Sequence, residues 1–269
     1  MPNLFVLQIE DRKDNPFIQE LLEQNRNQCT TNGIQYQHME LGSHHVPPYW
    51  AKVFELEKIM LQNPHVDYVM WIDSDAFLLN FSKSKLDQLL TTYSDSAMII
   101  TADMPPWEQG QFNAGCFIIK NNEIGRKIIA AWRNCYNKYE WSFEGGNKWS
   151  TKSVWGGPAY EQGAFTSKIL TNELYLPYIT QLPYTVLNNN SCSDNTDTTI
   201  VTHLAGEHKE DKEKVAACRA TFVYSVPWIQ ILVGIFLLCL FLIVLIPSIR
   251  STVYQIIRKI GQLLSRFYK

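Results

Sequence analysis

The chain's six cysteines, at positions 29, 116, 135, 192, 218 and 239, contain no Cys-x-x-Cys pair, so the spacing of a structural zinc site is missing. A large charge excess is also missing, since the formal net charge is only −2. That balance conceals an asymmetry. The stretch Ile249–Lys269 has no acidic residue and carries Arg250, Arg258, Lys259, Arg266 and Lys269, or +5, which leaves −7 for the remainder. A main domain of that sign is a poor partner for nucleic acid. No secretory leader is read at the start: the apolar run Leu4–Ile9 is short, lacks a basic lead-in and passes into Glu10-Asp11-Arg12. It is read as the first strand of the domain. With no leader, free thiols in a reducing compartment are the expectation.

What is present is a globular composition. The chain is 46% apolar and 19% charged, enough to bury one substantial core with an appendage. Strand-like and helix-like segments alternate over the first 125 residues or so. Leu4–Ile9, a strand ending at Asp73, Ala97–Thr101 and Ala114–Lys120 read as strands. Phe17–Thr30 reads as a helix, and Trp50, Val53, Leu56 and Met60 mark one face of another, entered through Pro47-Pro48. Asn122 is placed to cap a further helix whose buried stripe is Ile124, Ile128, Trp132 and Cys135. The pattern predicts an α/β domain with a mostly parallel sheet, whose ligands bind beyond the carboxyl ends of the strands. Residues 139–158 read as a long loop, Pro158 as the first turn of a helix running to Leu170, and Thr199–Thr202 as a short strand delivering His203.

One motif sits at such a strand end. Asp73-Ser74-Asp75 directly follows the apolar run Val66–Ile72. Two carboxylates so spaced reach a single hard divalent cation, which neutralises a diphosphate and helps it leave. On its own, Asp-x-Asp is equally a turn or a helix cap after a strand. Near the other end, Trp228–Ile246 is an uncharged run of nineteen residues between Pro227 and Pro247, just long enough to span a bilayer. Beyond it, Ile249, Val253, Ile256, Ile260, Leu263 and Phe267 repeat at helical spacing opposite the basic residues. Such a helix lies on an anionic membrane surface or pairs with a second copy as a short coiled coil, which permits a homodimer.

Four stretches carry a family resemblance: Tyr49-Trp50-Ala51-Lys52, Trp71-Ile72-Asp73-Ser74-Asp75-Ala76, the run from Phe112 to Asn121, and Val201-Thr202-His203-Leu204-Ala205-Gly206. In order and spacing they resemble glycosyltransferase family 34, which includes yeast-type α-galactosyl and α-mannosyl transferases and plant xyloglucan xylosyltransferases. The resemblance covers roughly residues 3–210. It implies a GT-A fold, a UDP- or GDP-sugar donor, a glycan acceptor, a divalent metal (Mn2+ or Mg2+) and retention of anomeric configuration. On that resemblance Asp73 and Asp75 are metal ligands, His203 completes the metal site, and Ser74 belongs to the donor site with them. Gly206 allows close approach to phosphate. Glu161-Gln162 matches the family's acidic-Gln pair near the reacting sugar carbon, either with Glu161 as nucleophile or with Gln162 beside a front-face, oxocarbenium-like transfer. Asn113 matches a contact to the donor sugar. Read without the family, His203 is an ordinary satisfied histidine, Glu161 an acidic first turn and Asn113 a turn residue.

Two departures accompany the resemblance. The family's diphosphate-binding Lys falls at His208 here, with Lys209 next to it, so that role is divided between them. Family members are usually held by an N-terminal membrane helix and face the secretory lumen, whereas the hydrophobic segment here follows the domain. The expected organisation is a transferase domain over 1–222, a membrane segment over 227–247 and a basic amphipathic helix over 248–269. The membrane-bound domain is expected to face the cytosol rather than the lumen, although the +5 tail pulls the other way under the positive-inside rule. Trp141, Trp149 and Trp155, interleaved with glycines, are candidate acceptor-stacking residues, with packing against the domain as the alternative. The alternative function is a non-catalytic, membrane-tethered module that binds nucleotide or glycan.

Overall fold

The computed structural model describes residues 2–10, 12, 14–41, 46–78, 81–103, 111–145, 148–190, 198–204 and 235–237. The chain divides into two units, Met1–Cys218 and Arg219–Lys269. In the second, only the helical turn 235–237 is described, with Ile235, Phe236 and Leu237 exposed. Most of the expected membrane segment and all of the amphipathic tail therefore lie outside the described residues. Among the described residues no helix is long and apolar enough to cross a membrane.

The first unit is built on a six-stranded sheet. In chain order its elements are β1 (Leu4–Glu10), α1 (Pro16–Thr31), β2 (Gln35–Glu40), α2 (Pro48–Gln62), β3 (Tyr68–Ile72), β4 (Ala76–Leu78), α3 (Lys83–Thr92), β5 (Met98–Ala102), β6 (Phe112–Lys120) and α4 (Glu123–Arg133). They continue with β7 (Ser142–Gly145), β8 (Lys148–Ser150), α5 (Glu161–Ala164), β9 (Ile179–Leu182), α6 (Tyr184–Leu187) and β10 (Val201–His203). The large sheet has the order β2-β1-β3-β6-β5-β9. β1 is parallel to β2 and β3, and β5 to β9, while β6 is antiparallel to both its neighbours. The fold is therefore mixed α/β with a mostly parallel sheet, as the alternation of segments predicts, and β6 is the one reversed strand of that sheet.

Strand periodicity sorts the core into two layers. Leu7, Val69, Trp71 and Phe117 point into one cluster with α2, α4 and α5, while Val6, Met70, Ile72 and Ile118 point into the other. With both faces covered, the central strands are mostly apolar, and β3 is apolar and buried throughout. Helix entries follow local chemistry. Asn15 caps α1 by accepting from the Phe17 and Ile18 amides, and Asn122 caps α4 by accepting from the Gly125 amide. Gly125 also has to be small, because a Cβ there would run into the Lys120 carbonyl.

Two local expectations are corrected. Residues 139–158 are not one loop, since β7 and β8 form a hairpin within them. The helix expected from Pro158 begins three residues later, at Glu161, and continues as a π-helical turn over Phe165–Ile169. Two successive turns delay it: Gly157 N–H donates to Val154 O, and Tyr160 N–H to Gly157 O. Cys29, Cys116 and Cys135 are free thiols, and burial pushes the Cys29 pKa up to about 12.

Candidate active site

The site lies at the carboxyl end of β3, beside β1 and at the start of the reversed β6. Reversal of β6 brings its first residues, Asn113 and Gly115, to the same rim as the last residues of β3. Asp73 N–H donates to Gly115 O at 2.7 Å, which carries the ladder one step past the strand. From below, Gln8 Nε2 donates to Asp73 O at 2.9 Å. The peptide that bears the first carboxylate is thus held on two sides before any side chain contributes.

His203 arrives from far along the chain. β10 pairs with β4, placing His203 opposite Ala76, and Leu204 N–H donates to Asp75 O at 3.0 Å. His203 Nε2 lies 3.2 Å from Asp75 Oδ1 and 4.0 Å from Asp73 Oδ2. One ligand atom from each of the three residues falls within 4.8 Å of the others. The other ring nitrogen, Nδ1, is 2.6 Å from Asn188 Oδ1. With Nδ1–H donating to that oxygen, the Nε2 lone pair faces Asp75, so a cation or a proton must lie between two acceptors. Burial disfavours the imidazolium, but the carboxylates of Asp75 and Asp73 outweigh it and raise the His203 pKa. The same arrangement of two carboxylates and an imidazole could hold a divalent cation. Gly115 makes room for the ring, because a Cβ there would fall on His203 Cε1 and Nδ1.

Lys52 ties this cluster to a second one. It is buried on α2, and its Nζ donates to Asp73 Oδ1 at 2.9 Å and to Ala114 O at 3.1 Å. Glu161 Oε1 lies 3.3 Å from the same nitrogen. Burial opposes the ammonium charge, yet Asp73 and Glu161 overcome it and raise the Lys52 pKa. Burial raises the Glu161 pKa, with Lys52 acting against it. Trp71 Nε1 also donates to Asp73 Oδ1, at 2.7 Å. Asp73 Oδ1 is thereby occupied by protein donors, and Oδ2 is the oxygen turned toward His203 Nε2.

The neighbouring amide groups are fixed as well. Gln162 Oε1 accepts from Ala114 N–H at 2.9 Å, which leaves its amide nitrogen as the donating end. Asn113 Oδ1 accepts from Gly115 N–H at 2.8 Å, and its Nδ2 donates to Asp103 Oδ1 at 2.9 Å. The helix start that carries Glu161 is anchored by Trp132, whose Nε1 donates to Glu161 O at 2.8 Å. Trp132 in turn packs with Phe112, Phe117 and Phe165 at ring separations of 4.7–5.8 Å. Ser74 is buried and accepts from Arg12 Nη2 at 2.9 Å, while the same guanidinium grips Glu10.

Comparison with known proteins now bears on this constellation. The profile of the galactosyl transferase GMA12/MNN10 family matches residues 4–223. The chain belongs to that family. An α-1,2-galactosyltransferase of Schizosaccharomyces pombe is 25% identical over 149 residues, 44% of this chain and 40% of its own. Xyloglucan 6-xylosyltransferase 1 of Arabidopsis thaliana is 27% identical over 140 residues, 49% of this chain and 29% of its own. A rice protein named "Probable glycosyltransferase 3" is 30% identical over 155 residues, 54% of this chain. The chain spans about a third of the length of that rice relative, 32%. Among solved structures, a glycosyltransferase involved in glycosylation of the major capsid of PBCV-1 shares the fold, with a TM-score of 0.58 and 13% identity over 80% of this chain and all of that one.

In this family member the folded chain brings Asp73, Ser74, Asp75, Asn113, Glu161, Gln162 and His203 to one rim. Gly206, His208 and Lys209 lie outside the described residues. The three tryptophans separate. Trp141 is buried, with its indole N–H donating to Ala159 O at 3.2 Å, and Trp149 is half-buried against the core and Phe143. Trp155 alone of the three is largely exposed. Two residues of the site carried no role in the sequence reading. Lys52 stood inside a quoted stretch, and only its place in an otherwise apolar helix face hinted at burial beside a carboxylate. Asn188 gave no signal, because one asparagine in a polar run is indistinguishable from its neighbours.

Proposed function

We propose that this chain is a metal-dependent, retaining glycosyltransferase that moves a hexose or pentose from a nucleotide-diphosphate sugar to a glycan acceptor, on a GT-A fold. The observation that carries the reading is the Asp73–Asp75–His203 cluster standing next to the buried Lys52–Glu161 pair. Asp73, Asp75 and His203 would hold a manganese or magnesium ion, which when bound supplies Lewis-acid stabilisation of the departing diphosphate. The chain's own residues do the rest. Lys52 fixes the Asp73 carboxylate and adds positive charge next to the leaving group. Gln162 presents its amide donor to the sugar, and Asn113 holds the strand edge on which the sugar would rest.

For the retaining step, two routes put the acceptor on the face the diphosphate leaves. In a double displacement, the C1–O bond to diphosphate breaks as Glu161 bonds to C1, and the acceptor oxygen then displaces the Glu161 carboxylate from C1 as its proton passes to the departed diphosphate. In a front-face transfer the acceptor hydroxyl attacks as the diphosphate departs and gives it the proton. Glu161 is buried and engaged by Lys52, which supports the front-face route with Gln162 as the neighbouring stabiliser. The donor is a UDP- or GDP-sugar, and the names of the galactosyl- and xylosyltransferase relatives support a hexose or pentose as the transferred sugar.

The test is metal-dependent release of nucleotide diphosphate from a panel of UDP- and GDP-sugars. Turnover with one donor, stimulated by Mn2+ and lost in Asp75→Ala with the fold intact, is expected. Equal turnover in Asp75→Ala would refute the reading. Mass spectrometry of protein trapped with a 2-fluoro donor separates the two routes, since only double displacement leaves a sugar on Glu161. Membrane attachment through 227–247, with the domain on the cytosolic side, is part of the proposal. Protection of the domain from protease in sealed membranes would place it in the lumen instead.

A further inference from the structure

Three aromatic rings form a surface directly beside the Lys52–Glu161 pair. Tyr49, Trp155 and Tyr160 meet edge to face, with ring centroids 5.1, 5.1 and 4.9 Å apart. Trp155 is 72% exposed and Tyr49 is 36% exposed, so the cluster is not a core fragment. Trp141 supports it from beneath, 5.0 Å from Tyr160 and 6.0 Å from Tyr49. Contiguous exposed apolar rings, unlike singly scattered ones, mark binding surfaces.

The cluster is rigidly joined to the site on both sides. Tyr49 lies one helical turn before Lys52 on α2, so both side chains share one face of that helix. Tyr160 immediately precedes Glu161, whose carboxylate is 3.3 Å from Lys52. Burial, followed by the nearby Tyr160 and Glu161, raises the Tyr49 pKa, as expected for a phenol next to that carboxylate. The backbone that carries Trp155 is packed on the same helix start. A Cβ on Gly163 would strike the carbonyl oxygens of Gly156 and Gly157, so the Trp155 turn and the Glu161 helix touch backbone to backbone. Gly156, with φ of +69°, makes the turn that directs Trp155 outward.

From this geometry we infer that Tyr49, Trp155 and Tyr160 form a sugar-stacking subsite for the acceptor glycan, with the exposed indole face of Trp155 as its floor. This rests on the transferase reading given above. A pyranose presents axial C–H groups on one face and hydroxyls around its edge. A flat ring with a phenol at its rim suits both, and a preformed platform loses little side-chain freedom on binding. The subsite excludes Trp141, which is buried, and gains Tyr49 and Tyr160. Since Tyr160 and Glu161 are adjacent in sequence, a sugar stacked on Trp155 is held close to the residue pair at which transfer would occur.

The experiment is saturation-transfer NMR on the full chain, irradiating aromatic protons, with cellohexaose and α-1,2-mannobiose as probes. Transfer to the ring protons of at least one probe is expected from the wild type. Trp155→Ala and Tyr49→Leu should each cut it at least about fivefold, as loss of one stacking face implies. Tyr139→Ala, an exposed ring outside the cluster, should leave it unchanged. Unfolding midpoints of the variants establish that each is folded. No transfer from either probe, or transfer that survives Trp155→Ala, overturns the inference; a surface built for peptide or lipid gives the first of these results. Saturation transfer to a probe from a protein that turns over no nucleotide-sugar would leave this subsite standing while removing the transferase reading.

Discussion

His203 Nδ1 and Asn188 Oδ1 lie 2.6 Å apart, and both residues are buried. The contact fixes which imidazole nitrogen carries the proton and aims the other at Asp75. Loss of such an orienting partner commonly lowers metal affinity about 10- to 100-fold. Asn188→Ala is therefore expected to weaken Mn2+ binding by that factor, as read by calorimetric titration. An unchanged Kd would show that β10 alone sets the ring.

Gly115→Ala tests the same ring from its other side. The added methyl would occupy the place of His203 Cε1 and Nδ1, so the imidazole must move. We expect Mn2+ binding to fall more than about tenfold, with a stability cost of roughly 1–3 kcal/mol from overpacking. Calorimetry and urea denaturation of one preparation give both numbers.

Lys52→Met removes the only cation that the structure places against Glu161 among the described residues. A buried carboxylate left without its partner costs about 3–5 kcal/mol. The double variant Lys52→Met/Glu161→Gln should recover part of that loss, because Glu161 is then uncharged while Asp73 still lacks the Lys52 ammonium. Denaturant midpoints of the wild type, both single variants and the double variant close the cycle. Additive effects would mean that the two side chains do not interact.

Glu10 governs an acid-side effect. Burial works against its charge, yet hydrogen bonds from Arg12 and Ser74 and the Arg12 charge hold its carboxyl down, at about 2 rather than the ordinary 4.5. The folded pKa lies below the unfolded one. Its stabilising contribution is therefore complete above about pH 4.5 and is lost as pH falls toward 2. Glu10→Gln should flatten the fall of unfolding free energy across that window and leave the slope above pH 5 unchanged. A wild-type slope that persists in Glu10→Gln would assign the acid sensitivity elsewhere.

What the sequence made legible follows the physics of each signal. β3, with Asp73 at its end, was readable because a fully buried strand is a continuous apolar run that polar residues terminate abruptly. The α4 cap was readable because Asn122 precedes a clean apolar stripe. β7 and β8 were not, since both are short and largely exposed and pair without an alternating core face. The start of α5 was misplaced because Pro158 suits a first helical turn and equally suits the turns that Gly156 and Gly157 impose. The reversal of β6 left no trace, as a strand buried on both faces reads alike in either direction. Within the site, Asp73, Asp75 and His203 were legible as a motif set, whereas Lys52 and Asn188 act through contacts made only when distant segments meet.

β10 and β4 are three residues each and form a two-stranded ladder outside the large sheet, with a further bridge from Asn189 to Thr202 of β10. Opening that ladder would carry His203 away from Asp73 and Asp75 while leaving the large sheet intact. A cation bound by all three would therefore be a ligand for the closed ladder, worth about 2.7 kcal/mol at a hundred times its Kd. Divalent metal would then slow amide hydrogen exchange in 76–78 and 201–203 well beyond its effect on β1 or β6. Metal occupancy and the docking of β10 would be a single equilibrium, with the ion acting as a clasp between β10 and the end of β3.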